Sequence, residues 1–376
     1  MANAGGDLAA GTLIWPRVFV ESAVEGDLVS KWQGLAMELP DVDEGAADWD
    51  QISTPMMLKT VGRLEEPVAA EVVVQIFAGE TLVEEQRLPL TVLAANEWMF
   101  RAEYLDALAA FVLPNSKAIV PVLQRARELL GERTGSRSTE GYQGGDERVH
   151  QLAEAVYDAL SEQKIDYSNP PASFAGYGQK IRSPRTILSE KVGTCLDTSV
   201  LYAACLAQVG LEPVIFVVQN HAFSGYLASA LQVSQDTVVS DKAELVELFA
   251  KERVHPVETT TLCTGVNYLN FNAARECDKK YWSHQLAEMQ GMVVVRTCWQ
   301  SGIMPPPVLS DQLTNEVEGE ITQSSAQSSA PDGVDGILDE AWEPGLRAGR
   351  RPPPRVRSWL ASLLDLSRNN RLLDIK

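Results

Sequence analysis

Residues 192–207 read Val-Gly-Thr-Cys-Leu-Asp-Thr-Ser-Val-Leu-Tyr-Ala-Ala-Cys-Leu-Ala, which places a cysteine, Cys195, at the start of an apolar helix. The first turn of a helix exposes unpaired backbone N–H groups and carries the positive end of the helix dipole. Both features favour a thiolate over a thiol. The stretch therefore predicts that Cys195 is a nucleophile.

An apolar run follows the cysteine helix. Residues 212–223 predict a buried strand that presents His221 at or just beyond its end. A nucleophilic thiol needs a base that takes its proton and later protonates the leaving group, and an imidazole can do both. Cys195 and His221 are thus the first two members of a predicted catalytic set.

Three segments together resemble the transglutaminase-like superfamily of cysteine hydrolases. They are the Gly-Thr-Cys helix start, the helix end at Gly210-Leu211-Glu212-Pro213 and the strand with His221-Ala222-Phe223. The resemblance covers roughly residues 148–264. It implies a papain-like core in which a cysteine, a histidine and an acid catalyse acyl transfer from amides. Phe223 stands where the family usually has tryptophan, which keeps an aromatic wall but loses an indole N–H.

The resemblance also implies an acid on the strand after the histidine strand. By position the best match is Glu258, with Asp241 and Asp236 as alternatives. A glutamate can orient an imidazole, although its extra methylene displaces the carboxylate. The same resemblance makes Gln179, in the polar loop before the cysteine helix, a candidate oxyanion-hole donor. The alternative interpretation is that Gln179 is only a solvated residue of that loop.

The remaining polar and cysteine residues have plainer interpretations. Asp197 complements the positive end of the helix dipole, and Cys205 lies inside the apolar helix as a core residue. The other cysteines lack the spacing of metal ligands and the other histidines lie in no motif, so neither a metal nor a cofactor is expected. These residues are Cys263, Cys277, Cys298, His150, His255 and His284.

Composition restricts the class of protein. A chain of 376 residues is long enough for two or three domains. It has neither the roughly 18 apolar residues in a row that a spanning helix needs nor a basic-then-apolar leader, so no membrane contact is expected. Five scattered cysteines, an odd number, favour a reducing compartment and hence the cytoplasm. A formal net charge of −19 argues against a broad nucleic-acid-binding surface.

The first 146 residues are predicted to form two segments. Residues 1–95 suggest a small β-sandwich-like domain, because the alternating runs 70–77 and 81–90 flank a glycine-containing turn and predict a hairpin. Apolar residues then recur at helical spacing, which predicts a helical connector over 96–146 that ends in a flexible, charged stretch.

The α+β transglutaminase-like domain is predicted over 147–304, and a disordered linker over 305–354 follows, because that stretch has few apolar residues. Residues 355–376 predict a basic amphipathic helix. Their sequence resembles the opening of an uncharacterised domain that precedes helicase cores in large bacterial proteins. That resemblance implies a longer polypeptide, whose contact with nucleic acid would run through the helicase region. The alternative is a C-terminal docking helix of a complete protein.

The leading functional hypothesis is a thiol-dependent hydrolase, a protease or amidase acting on a peptide or protein through Cys195, His221 and Glu258. The alternative is a catalytically degenerate transglutaminase-like module that binds peptide or protein partners and positions a nucleic-acid-processing helicase. Geometry separates the two hypotheses. Catalysis requires the sulfur of Cys195 within about 4 Å of one ring nitrogen of His221, and a carboxylate at the other.

Overall fold

The computed structural model describes residues 13–22, 28–33, 37–38, 62, 64–173, 178–230, 235–265, 268–276, 288–305 and 373–375. Its N-terminal strands form one antiparallel sheet, in which β5, β4, β1 and β2 lie in that order and β3 pairs with β1. The strands are β1 (Leu13–Ser22), β2 (Leu28–Gln33), β3 (Met37–Glu38), β4 (Val68–Ala78) and β5 (Thr81–Val92).

The predicted hairpin is confirmed as β4 and β5. Gly79 in its turn has φ of +59°, a left-handed conformation that glycine adopts without a steric penalty. One face of the sheet buries an apolar cluster that includes Val18, Val20 and Val72. The second sheet that a sandwich requires is not among the described residues, so the sandwich stays a prediction.

The segment 96–146, predicted as a connector, instead contributes to the core of the following domain. The side chains of Leu105 and Leu108 pack in one apolar cluster with Val200 and Ile215. The elements of this segment are strand β6 (Glu97–Met99), the 3-10 helices Ala102–Phe111 and Lys117–Ile119, helix α1 (Val120–Thr134) and the 3-10 turn Tyr142–Gly144. The helical spacing correctly predicts helices in this segment. Such spacing does not show which part of the protein a helix packs against.

The next domain places one buried helix between an antiparallel sheet and a second helix. Its sheet has the strand order β12-β14-β10-β11-β13. The elements are α2 (Asp146–Ser161), β7 (Asp166–Tyr167), β8 (Gly178–Lys180), α3 (Pro184–Glu190), β9 (Val192–Gly193), α4 (Cys195–Gln208), β10 (Pro213–Val218), β11 (His221–Leu227), β12 (Val238–Val239), α5 (Lys242–Ala250), β13 (Val254–Val257), a 3-10 turn (Thr259–Leu262), β14 (Met289–Val294) and α6 (Val295–Gln300).

Helix α4 is the centre of this domain. One side of it packs Val200 and Ala203 against β10 and β11, and the other packs Leu201 and Tyr202 into the cluster that contains α2. A helix covered on both sides has no polar face, which explains the almost wholly apolar sequence from Val200 to Leu206.

The predicted strand over 212–223 is in fact two strands. β10 and β11 form a hairpin with Val218 opposite His221 and the turn at Gln219 and Asn220. Asn220 has φ of +62°, a left-handed conformation that asparagine tolerates better than most residues. His221 is therefore the first residue of β11 rather than the last residue of the preceding strand.

The C-terminal predictions lie almost wholly outside the described residues. The exception is β15 (Leu373–Ile375), which pairs antiparallel with β5 and is a strand where a helix was predicted. An edge strand such as β5 offers backbone groups that a further strand can satisfy. The disordered linker and the helicase association stay predictions.

Within the described part of the chain, no helix combines the length and apolarity needed to cross a membrane.

Candidate active site

The start of helix α4 fixes the position of Cys195. Thr194 is the N-cap residue, and its side-chain oxygen accepts a hydrogen bond from the Asp197 backbone N–H at 3.1 Å. The Asp197 carboxylate accepts in return from the Thr194 N–H at 2.9 Å. This reciprocal pair is a capping box, and it makes Cys195 the first residue of the helix, as the sequence predicts. The Cys195 side chain is half-buried.

Asp197 binds a second segment of the chain in addition to its predicted interaction with the helix dipole. Its fully buried carboxylate also accepts from the Arg182 backbone N–H at 2.7 Å and from the Arg182 guanidinium at 2.8 Å. These bonds tie the segment before α3 to the cysteine end of α4. Gln179, the candidate oxyanion donor, lies three residues earlier in β8, opposite Trp98 of β6. Its predicted role is not tested by these contacts and stays a prediction.

His221 lies between the cysteine and an acid. Its Nε2 is 2.8 Å from Oε2 of Glu258, and Cys195 is close enough to the ring to raise the pKa of the imidazole. Because Nε2 faces the carboxylate, Nδ1 is the ring nitrogen available to the sulfur. The ring of Phe223 lies 6.0 Å from the imidazole, centroid to centroid, and forms the aromatic wall that the sequence predicts.

Glu258 follows the last residue of β13. Strand β13 ends at Val257 because Glu258 caps the 3-10 turn that follows. One of its carboxylate oxygens accepts from the Thr260 N–H at 3.0 Å and from the Thr260 hydroxyl at 2.7 Å, and the other faces His221. Thr260 thereby fixes the direction of the buried carboxylate.

Asp241, an alternative acid in the sequence, is the N-cap of α5 and accepts from the Ala243 N–H at 2.8 Å. The structure thus places Glu258, the first choice, against the histidine.

The electrostatics favour an imidazolium ion beside the thiol. Burial by itself lowers the pKa of His221, but the hydrogen bonds to Cys195 and Glu258 outweigh burial and raise that pKa to about 10. Burial likewise raises the pKa of Glu258, but the hydrogen bonds and charge of His221, together with Thr260, lower it below its usual range. The pair therefore carries opposite charges at neutral pH.

Two residues of this site were not found in the sequence. Arg182 was missed because its partner Asp197 is distant along the chain. Tyr167 was missed because it lies in the polar break after α2, yet its backbone pairs with Gly193, two residues before Cys195. Nothing in the local pattern around Tyr167 indicates that contact.

The other singled-out residues lie away from this chain of contacts or outside the described residues. Cys205 is fully buried, as predicted for a core residue, and burial raises the pKa of its thiol. His150 and His255 both contact Arg275. Among the residues with described positions, no group of three or more His, Cys, Asp or Glu side chains is arranged to hold a metal ion. Cys277 and His284 are not in the described ranges.

Comparison with known proteins supports the fold class. Residues 147–248 match the family described as a transglutaminase-like domain. Helix α4 and strands β10 and β11 lie within this match, so the chain is a mixed helix-and-sheet protein that contains a transglutaminase-like domain, as the sequence predicts. No curated protein matches the chain.

Among solved structures, the crystal structure of the periplasmic domain of TgpA from Pseudomonas aeruginosa is similar at 10% identity. The alignment covers 75% of this chain and 97% of that chain, with a TM-score of 0.23.

Proposed function

We propose that the transglutaminase-like domain is a thiol-dependent hydrolase of amides, a protease or amidase. The observation that supports this proposal is the position of His221, whose Nε2 lies 2.8 Å from Glu258 Oε2 and whose pKa is raised by both Cys195 and Glu258. A nucleophile, a base and a group that orients the base are the parts that acyl transfer requires.

The reaction follows from these three roles. The Cys195 thiolate attacks the carbonyl carbon of the amide, the new C–S bond forms, and the imidazolium of His221 protonates the departing amine as the C–N bond breaks. The neutral imidazole then takes a proton from water, and the hydroxide attacks the thioester. The C–S bond breaks, the product leaves as a carboxylic acid, and the thiolate and imidazolium of the starting state are restored. Glu258 stabilises the imidazolium and holds its orientation throughout.

The oxyanion that forms in both steps needs a hydrogen-bond donor. Gln179 is proposed for this role because Arg182, three residues later, is bound to Asp197 near the start of the cysteine helix. A single well-placed donor contributes about 3 kcal/mol to such a step. The proposed substrate is a peptide or protein, because these molecules contain the amide bond that the thiolate attacks.

The experiment uses p-nitrophenyl acetate, an activated acyl donor that needs no specific recognition. With the whole chain we expect acetylation at Cys195, located by mass spectrometry, followed by continued release of nitrophenol as water removes the acyl group. The Cys195→Ser variant is expected to lose the acetyl adduct. The Cys205→Ala variant, which alters a core cysteine, is expected to keep it. Acetyl groups spread over surface residues with no preference for Cys195 would refute the proposal.

A further inference from the structure

Three consecutive threonines follow the acid of the site. Residues 259–261 are all threonine and lie in the 3-10 turn that begins directly after Glu258. A 3-10 helix has three residues per turn, so successive side chains point in directions about 120° apart. Three neighbouring hydroxyls can therefore reach three different groups, and in this turn each of them does.

The first and third threonines attach the turn to the two helices beside it. The Thr259 hydroxyl faces the Ser199 hydroxyl of α4. The Thr261 hydroxyl donates to the Glu258 backbone carbonyl at 2.6 Å and lies 2.8 Å from the buried Tyr157 hydroxyl of α2. The backbone of the acid is thus held in place from both sides.

The middle threonine holds the carboxylate itself. The backbone N–H and the hydroxyl of Thr260 donate to Oε1 of Glu258 at 3.0 Å and 2.7 Å. The other oxygen, Oε2, lies 2.8 Å from Nε2 of His221. The side chain of Glu258 is only 5% exposed, so a carboxylate that turned away from these partners would lose hydrogen bonds that water could not readily replace. Thr260 therefore assigns one oxygen to the turn and leaves the other for the imidazole.

A glutamate needs such a restraint more than an aspartate does. Its side chain has one more rotatable bond, so a free carboxylate samples more orientations around the imidazole. An aspartate would be restrained by its shorter side chain. Its carboxylate would also lie about 1.5 Å nearer the backbone, which Thr261 holds in place, and would fall short of His221.

We propose that Thr260 is a positioning residue, whose hydroxyl holds the Glu258 carboxylate against His221 and thereby allows a glutamate to serve as the acid of the site. The role rests on the proposed function, because it requires Glu258 to orient a catalytic base. Thr260 acts on the reaction through Glu258, and its effect on turnover requires the carboxylate.

The test compares the wild-type chain with Thr260→Val, which removes the hydroxyl but keeps the backbone N–H and the branched shape. Thr260→Ser restores the hydroxyl. Thr264→Val is the matched control, because the Thr264 hydroxyl also donates to a carboxylate, that of Asp166, in the same segment. Steady-state turnover of p-nitrophenyl acetate, acetylation of Cys195 and the proton NMR signal of the His221 Nε2–H are measured, and melting temperatures establish that each variant is folded.

In Thr260→Val, we expect turnover to fall about tenfold, which corresponds to the loss of one hydrogen bond to a charged group. Acetylation of Cys195 should continue, since the thiol is unchanged. The Nε2–H signal should broaden, because a loosened carboxylate no longer protects that proton from exchange with water. Thr260→Ser and Thr264→Val are expected to match the wild type. Unchanged turnover and an unchanged signal in Thr260→Val would overturn the inference, and so would an equal loss of turnover in Thr264→Val.

Two variants of the acid sharpen the test. In a Glu258→Ala background, Thr260→Val should cause no further loss of turnover, because the carboxylate through which Thr260 acts is gone. A further tenfold loss in that background would show that Thr260 acts through the fold instead. Glu258→Asp is expected to lower turnover, and an aspartate as active as the glutamate would contradict the need for the Thr260 contact.

The Cys195→Ser variant separates failure of this role from failure of the proposed function. If Cys195→Ser turns over the ester as fast as the wild type, the proposed function fails. If Cys195→Ser abolishes turnover and Thr260→Val leaves it unchanged, only the role of Thr260 fails.

Discussion

The hydroxyl of Thr259 lies 3.1 Å from the hydroxyl of Ser199. Ser199 donates its own hydrogen to the Cys195 carbonyl at 2.6 Å, so Thr259 is the donor between the two hydroxyls. Thr259 follows Glu258 directly, and Ser199 lies one turn after Cys195 in α4. This buried hydrogen bond therefore connects the turn that carries the acid with the helix that carries the nucleophile.

Removing either hydroxyl is expected to lower the free energy of unfolding. In Ser199→Ala or Thr259→Val we expect a loss of about 1–3 kcal/mol, because the partner hydroxyl remains buried. The double variant is expected to lose less than the sum, with a coupling of about 0.5–3 kcal/mol. Urea unfolding measures all three values.

Ser161→Ala provides the comparison for this cycle, because the Ser161 hydroxyl donates to a carbonyl in its own helix. Its effect should add to that of Thr259→Val. Strict additivity of Ser199→Ala and Thr259→Val would show that the two hydroxyls do not stabilise each other.

Among the polar residues of the site, removal of Asp197 is expected to cause the largest loss in the free energy of unfolding. In Asp197→Ala the Arg182 side chain, which is only 16% exposed, keeps its charge without the carboxylate. Loss of one partner of such a buried pair costs about 3–5 kcal/mol. Thermal or urea unfolding would measure the loss. The control is Glu247→Gln, which breaks a solvent-exposed pair with Lys251 and should change stability far less. Equal effects of the two variants would contradict the assignment of Asp197 as a buried anchor.

Glu258→Gln tests the charge of the acid while keeping its shape. The amide oxygen can still accept from Thr260, so the fold should survive, but the imidazolium of His221 loses its counterion. We expect turnover to fall by about 10²–10⁴-fold. Asp241→Asn is the matched control, since asparagine is also a good N-cap and Asp241 caps α5. Nitrophenyl ester turnover that falls in Asp241→Asn and not in Glu258→Gln would reverse the choice of acid.

His150 and His255 predict a loss of stability in acid. Burial and the nearby charge of Arg275 lower the pKa of both to about 4, from an ordinary value of 6.5. Protonation therefore favours the unfolded chain, and stability should be full above about pH 6.5 and fall as the pH drops towards 4. The melting temperature of His255→Gln should fall less over that range. An acid response that is identical in the variant would show that His255 does not contribute.

The sequence predicts this site well where the determinants are local. Thr194, Cys195 and Asp197 form a capping box within four consecutive residues, so the helix start could be placed from the sequence. The hairpin of β4 and β5 could also be predicted, because the alternation of apolar and polar residues and the glycine at position 79 both indicate it. The apolar run after the helix indicates His221, and the resemblance to a family supplies Glu258 as the acid.

The sequence fails where distant segments meet. Tyr167 lies opposite Gly193 through the parallel pairing of β7 with β9, a contact between segments that no local pattern encodes. The turn at Asn220 was missed because it uses an asparagine rather than a glycine in the left-handed conformation. The sequence predicts a connector over 96–146 because helical spacing shows which face of a helix is apolar but not which part of the protein covers that face.

The most direct test of the central claim is an NMR titration of the His221 ring in the wild-type chain and in Cys195→Ala. If Cys195, His221 and Glu258 act together, the wild-type ring should stay protonated as the pH rises from 6.5 and titrate with a pKa near 10. Loss of the sulfur should lower that pKa, whereas His150 and His255 should titrate near 4 in both proteins. A His221 ring that titrates near 6.5, with or without the sulfur, would contradict the account.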